Sequence, residues 1–131
     1  MCYRRYNSFR QFHRIIEEAG ATQYSPIGVL TSENRDTWAD GREILLKAHP
    51  DHKALLEKIE SSSFLLCLDS AKPVTRDELS RGCWHGDGRN RFYDKSLQFI
   101  VYDNAKAGFM GEHSCMDGTP TCRLNEYVND V

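Results

Sequence analysis

The chain has 131 residues, of which 40% are hydrophobic and 27% charged, with six Phe, six Tyr and two Trp. This is room for one domain with a single modest core, and the composition is that of a soluble globular protein, neither disordered nor collagenous. The formal net charge is -2 and the basic and acidic residues are interspersed, so no basic stripe points to nucleic acid. No uninterrupted apolar run approaches the roughly 18 residues of a membrane-spanning helix.

The first sixteen residues, MCYRRYNSFRQFHRII, contain four arginines and no acid, a pattern shared with mitochondrial presequences. The same text reads equally as interior enzyme sequence, since it runs straight into a helical pattern. Residues 8 to 19 predict a helix with Phe9, Phe12 and Ile16 on one buried face, Ser8 as cap and Gly20 as terminator. A turn-rich stretch from Thr22 to Pro26 follows, and then a short apolar segment from Ile27 to Leu30.

Thr31 or Ser32 offers a cap for a helix over about 33 to 48. On it Trp38, Gly41 and Leu45 share a face, and Gly41 would let a neighbouring element approach closely. Pro50 suits the first turn of the next helix, whose stripe is Leu55, Leu56 and Ile59 up to about Glu60. The run Phe64 to Leu68 is apolar on both alternating faces and predicts a buried central strand. Thr75 and Glu78 have the spacing of a capping box for a short helix.

Residues Gly82 to Asn90 contain three glycines and predict an irregular loop. Three β segments are expected after it: Arg91 to Asp94, Leu97 to Tyr102 and Gly108 to Glu112. Asp103 and Asn104 start the turn between the last two. His113 then falls where a strand gives way to a loop. The expected fold class is α/β, a mixed sheet with flanking helices, in which Phe64 to Leu68 and Leu97 to Tyr102 belong to one sheet.

The densest polar cluster is Gly111 to Gly118. A histidine at a strand end, with Glu112 before it and Asp117 four residues after, has the groups of a general base and its carboxylate support. A surface loop rich in turn formers reads the same way, so spacing alone does not decide. Ser114 lacks the G-x-S-x-G elbow of a serine nucleophile. Cys83 with His85, and His113 with Cys115 and Cys122, contain zinc-ligand types without the close-spaced pairs of structural zinc sites. Gly86-Asp87-Gly88 is too short for a phosphate-cradling loop. Five cysteines, an odd number, favour reduced thiols in an intracellular compartment over a disulfide scaffold.

The run Gly88-Arg89-Asn90-Arg91-Phe92-Tyr93-Asp94-Lys95-Ser96-Leu97-Gln98-Phe99-Ile100-Val101, followed by Asp103-Asn104, Gly108, Glu112-His113-Ser114 and Asp117-Gly118, resembles the active-site segment of the choline/carnitine O-acyltransferases. Ile27 to Arg42, with Leu30-Thr31, Arg35-Asp36 and Trp38-Ala39, resembles a second signature of that family. The resemblance spans residues 22 to 131, and the continuation GEHSCMDGTPTCRLNEYV looks closest to its fungal acetyl-transferring members.

This resemblance implies reversible acyl transfer between coenzyme A and carnitine, with His113 as general base, Asp117 in support, and Glu112 beside them in a role left open. Coenzyme A is then a substrate, no cofactor or metal is required, and no coenzyme-binding residue is assigned. The implied compartment is mitochondrial or peroxisomal, in line with fatty acid metabolism. Family members are several times longer, so the expectation is a partial copy of the catalytic domain over residues 1–131, with its histidine segment near 88–118. Tyr6 to Arg10 also resembles a segment that in the family is separated by a further loop and strand from the helix resembled by Gln11 to Gly20, which suggests an internal deletion or a truncated gene. The alternative is a non-catalytic truncated product or protein-interaction fragment.

Overall fold

In chain order the elements are α1 (Cys2–Ala19), a 3-10 helix (Ile27–Ser32), α2 (Arg35–Ala48), α3 (Asp51–Ser61), β1 (Leu65–Asp69), α4 (Arg76–Trp84), β2 (Leu97–Tyr102), β3 (Ala107–Gly111) and α5 (Gly118–Asp130). The computed structural model describes residues 2–20 and 24–130, with side chains from Ser8 onward. The turn expected over Thr22 to Pro26 thus falls partly on residues 21–23, outside the described residues. Among the described residues, no helix is long and apolar enough to cross a membrane.

β2 organises the sheet. It pairs in parallel with β1 and antiparallel with β3, giving the order β1-β2-β3 and a mixed α/β fold. Its side chains alternate, with Gln98, Ile100 and Tyr102 buried and Leu97, Phe99 and Val101 only partly so. The two ends of the parallel pair are linked through α4, since parallel neighbours need a long crossover. Ile100 and Tyr102 meet Cys67 of β1, Met110 of β3 and Cys83 of α4 in one core cluster.

The expectation of a central strand at Phe64 to Leu68 is corrected in position and burial. The strand is Leu65–Asp69 and lies at a sheet edge; Leu65 and Cys67 face the core, while Phe64 is 54% and Leu66 37% exposed. The run is apolar on both sides because each face of this sheet is apolar, although among the described residues only one carries a packed layer. On the open face Phe99 meets Phe64 edge to face and Phe109 at a tilt, at centroid distances of 5.7 and 5.5 Å.

The helix expected over 8 to 19 begins earlier, at Cys2, and buries none of its described side chains: Phe9 and Ile16 are 61% and 56% exposed. α2 begins at Arg35 and is capped by Asn34, which accepts from the Asp36 amide. Thr31 is spent elsewhere, donating to the Gly28 carbonyl at 2.6 Å and accepting from the Tyr93 amide at 2.7 Å. Among the described residues Gly41 admits no neighbouring element, for the one atom within 4 Å of its absent Cβ belongs to Trp38 of the same helix. α3 follows Pro50 closely, and Trp38, Leu56 and Phe92 form a second cluster between α2, α3 and the chain before β2.

Thr75 and Glu78 do form the capping box of α4. That helix runs three residues into the expected loop, to Trp84, and the chain then turns with positive φ at Gly86 and Gly88.

Arg91 to Asp94 is not a strand. Three of its four residues are tied to different elements: Arg91 to Asp69 of β1, Tyr93 to Thr31 of the 3-10 helix, Asp94 to Arg35 and Trp38 of α2. Lys95 continues the pattern toward α3. A strand would pair these backbones in one ladder, whereas here the side chains carry the connections.

Asp103 and Asn104 do lie in the β2–β3 turn. The left-handed residue is Ala105 (φ 61°), which completes a turn closed by the Ala105 amide on the Tyr102 carbonyl at 2.9 Å. α5 had no counterpart in the pattern reading, although Asp117 and Pro120 around its start are the residue types that favour a helix N-terminus.

Candidate active site

β3 delivers the chain to the site. After Gly111 the Glu112 amide still donates to the Ser96 carbonyl at 3.3 Å, extending the ladder by one residue. Residues 113–115 then turn, and the chain enters α5 at Gly118.

His113 stands at this turn with Nε2 3.2 Å from Asp117 Oδ1; both side chains are 79% exposed. The Asp117 carboxylate is itself fixed, because Oδ1 accepts the Gly118 amide at 2.6 Å. A carboxylate beside the first amides of a helix is favoured by their partial positive charge. Thr121 adds a hydroxyl contact to the Asp117 carbonyl at 3.2 Å. The structure therefore brings His113 and Asp117 together.

Glu112 is adjacent in sequence but directed elsewhere. Its Oε1 accepts the Ser114 amide at 2.9 Å and its Oε2 the Ser114 hydroxyl at 2.5 Å. This contact also occupies the serine hydroxyl that a hydrolase reading would require. Cys115 and Cys122 are exposed free thiols, whereas Cys67 and Cys83 are buried ones. Among the described residues, no three His, Cys, Asp or Glu side chains gather in a way that could hold a metal ion.

A surface trough runs from His113 along β3 to α4, lined among others by Arg76, Ser80, Cys83 and Trp84. Trp84 is 76% exposed. Sequence reading had no reason to join these residues to His113. The available signal was their helical spacing, which puts positions 76, 80, 83 and 84 on one side of α4.

Behind the site the buried Arg91 guanidinium is held through its two terminal nitrogens, while its Nε has no hydrogen-bond partner among the described residues. Arg91, with its side chain 4% exposed, forms a two-pronged pair with Asp69, at 3.2 and 2.9 Å, and donates to the Gly82 carbonyl at 2.7 Å. Burial acts to lower its pKa, but the hydrogen bonds and charge of Asp69 outweigh this and raise it. Burial pushes the Tyr102 phenol well up, helped by its contact with Cys83 at 3.6 Å. Burial likewise raises the Cys67 thiol.

The family model for "Choline/Carnitine o-acyltransferase" matches residues 6–131. The mitochondrial carnitine O-acetyltransferase of Saccharomyces cerevisiae is 50% identical over 123 residues, covering 92% of this chain and 18% of that protein. Human carnitine O-acetyltransferase is 33% identical over 130 residues, covering 92% and 21% respectively. Rat mitochondrial carnitine O-palmitoyltransferase 2 is 38% identical over 117 residues, covering 88% and 18%. The chain thus spans about a fifth of the length of these relatives. With nearly every residue from the start of α1 to α5 inside that match, the chain belongs to the choline/carnitine O-acyltransferase family.

Proposed function

We propose that this chain supplies the general-base segment of a mitochondrial carnitine O-acyltransferase, acting on acetyl groups, as one part of a larger catalytic domain. The observation that supports this reading is the His113–Asp117 pair at 3.2 Å, placed at the end of β3 within the matched region.

In the proposed reaction the His113 imidazole takes the proton of the carnitine hydroxyl as the oxygen attacks the thioester carbonyl of acyl-coenzyme A. The tetrahedral species collapses, the carbon–sulfur bond breaks, and the imidazolium returns the proton to the departing thiolate. Asp117 stabilises the imidazolium while it exists. The acyl group passes directly between oxygen and sulfur, so coenzyme A is a substrate and neither a separate cofactor nor an acyl-enzyme is called for.

The test is a chimera in which residues 24–130 replace the matching segment of the Saccharomyces relative. Carnitine-dependent thiol release from acetyl-coenzyme A is expected, with a loss of at least about 100-fold in kcat after His113→Ala. Near-normal turnover of that variant would refute the role.

The open sheet face around Phe64, Leu66 and Phe99 favours a second reading, a non-catalytic piece that associates through that face. Concentration-dependent sedimentation of the chain, abolished by Leu66→Lys, together with an inactive chimera would favour it.

A further inference from the structure

The pair His113 and Asp117 is four residues apart, yet residues 112–117 are not helical, so no regular backbone holds the two side chains in register. Each end needs its own anchor. The Asp117 end has one in the first turn of α5, through the Gly118 amide and the Thr121 hydroxyl. The His113 end is anchored by its neighbours on both sides, for Glu112 grips Ser114 twice, at 2.9 and 2.5 Å, across the intervening histidine.

We propose that Glu112 is a positioning residue for His113, acting through Ser114, and neither carries a proton in the reaction nor serves as the charge partner of the imidazole. The inference rests on the reading of His113 as the general base. Both oxygens of the Glu112 carboxylate face Ser114. Its backbone is held by the Ser96 carbonyl at 3.3 Å, and Ser96 follows Lys95, a buried residue fixed to the end of α3. The clamp therefore stands on a rigid base, and releasing it frees the backbone torsions of His113 and Ser114.

A positioning role and a charge role differ in what Glu112→Gln does. The amide oxygen of glutamine still accepts from Ser114, so positioning survives, whereas the negative charge is gone.

The readout is the rate at which diethyl pyrocarbonate modifies His113 in the 131-residue chain, resolved from the other four histidines by mass spectrometry. Asp117→Asn is expected to change this rate about threefold in the native and Glu112→Gln backgrounds, and by less than about 1.3-fold after Glu112→Ala. Equal coupling in all three backgrounds, coupling lost in Glu112→Gln as fully as in Glu112→Ala, or no coupling in the native chain would each overturn the proposal.

Ser114→Ala, which removes only the hydroxyl arm, serves if Glu112→Ala does not fold. A reduced coupling is expected there, and an unchanged one counts against the clamp. Acyl transfer is not measured, so an inactive chimera would remove the general-base reading without altering this result.

Discussion

Lys95 Nζ donates to the backbone carbonyl of Glu60 at 3.0 Å, at the last turn of α3, and shares itself with the carbonyl of Ser62. The side chain is buried, with the residue 8% exposed, and it brings a positive charge to the negative end of a helix. Lys95→Met keeps the apolar stem and removes the donors, leaving two carbonyls without them. A loss of about 2 kcal/mol is expected in urea unfolding. A loss under about 0.5 kcal/mol would mean water replaces the ammonium without cost.

Gly28 presses against the backbone of the chain before β2: a Cβ there would meet the Arg91 carbonyl oxygen at 1.9 Å. Neither side can yield cheaply, since Arg91 is tied to Asp69 and Gly82. Gly28→Ala is expected to cost about 3 kcal/mol or more, in the upper range of overpacking. The control is Gly118→Ala, where nothing among the described residues lies within 4 Å of the added Cβ and little change in thermal midpoint is expected.

Ala105 adopts φ 61° in the β2–β3 turn, a conformation that disfavours any side chain by about 1–2 kcal/mol. Part of that is returned because glycine makes the unfolded chain more flexible. Ala105→Gly should therefore stabilise the protein by about 0.5 kcal/mol, visible as a higher urea midpoint at unchanged slope.

Arg42 holds Glu60 between α2 and α3 with two contacts, at 2.8 and 2.9 Å. The Arg42 hydrogen bond lowers the Glu60 pKa from its ordinary 4.5. The folded state thus prefers the charged carboxylate, so the pair's contribution is fully present above pH 4.5 and is lost as pH falls through the lowered folded value. The pair is partly exposed, which limits it to about 1 kcal/mol at most. Glu60→Gln should destabilise at pH 7, and the difference from the native chain should shrink steadily below pH 4.5.

Expressed alone, the 131-residue chain should show no carnitine-dependent thiol release from acetyl-coenzyme A. Base catalysis typically contributes only about 10² to 10⁴ in rate, and the rest comes from positioning two substrates and stabilising the oxyanion. His113 is 79% exposed, so most of the imidazole faces solvent. Release above that of a His113→Ala control would contradict this.

What could be read from the sequence was what depends on near neighbours. The Thr75–Glu78 box was legible because its partners are three residues apart, and β2 because its alternation survives in the fold. The character of Phe64 to Leu68 was legible but its place was not: apolar residues on both faces imply a layer on each side, and among the described residues only one is packed. Arg91 to Asp94 looked like a strand because its two aromatic residues favour β structure, yet Asp69 and Thr31, which bind Arg91 and Tyr93, lie 22 and 62 residues away. The proximity of His113 and Asp117 was implied by family resemblance, since a four-residue spacing in a loop predicts no contact by itself. The clamp from Glu112 to Ser114 had no pattern to announce it.

The cross-connections of residues 91 to 95 also bear on the order in which this protein can become native. Trp38 meets Asp94 across 56 residues, Arg35 meets Asp94 across 59, and Thr31 meets Tyr93 across 62. During synthesis, α2 and α3 emerge and form their turns long before the segment that ties them to the sheet exists. At about 5–20 residues per second, the wait from Trp38 to Asp94 lasts on the order of several seconds. For that interval Trp38 and Leu56 have each other but not Phe92, the third member of their cluster. Docking of the helices thus waits, during synthesis, on long-range closure by residues 91 to 95.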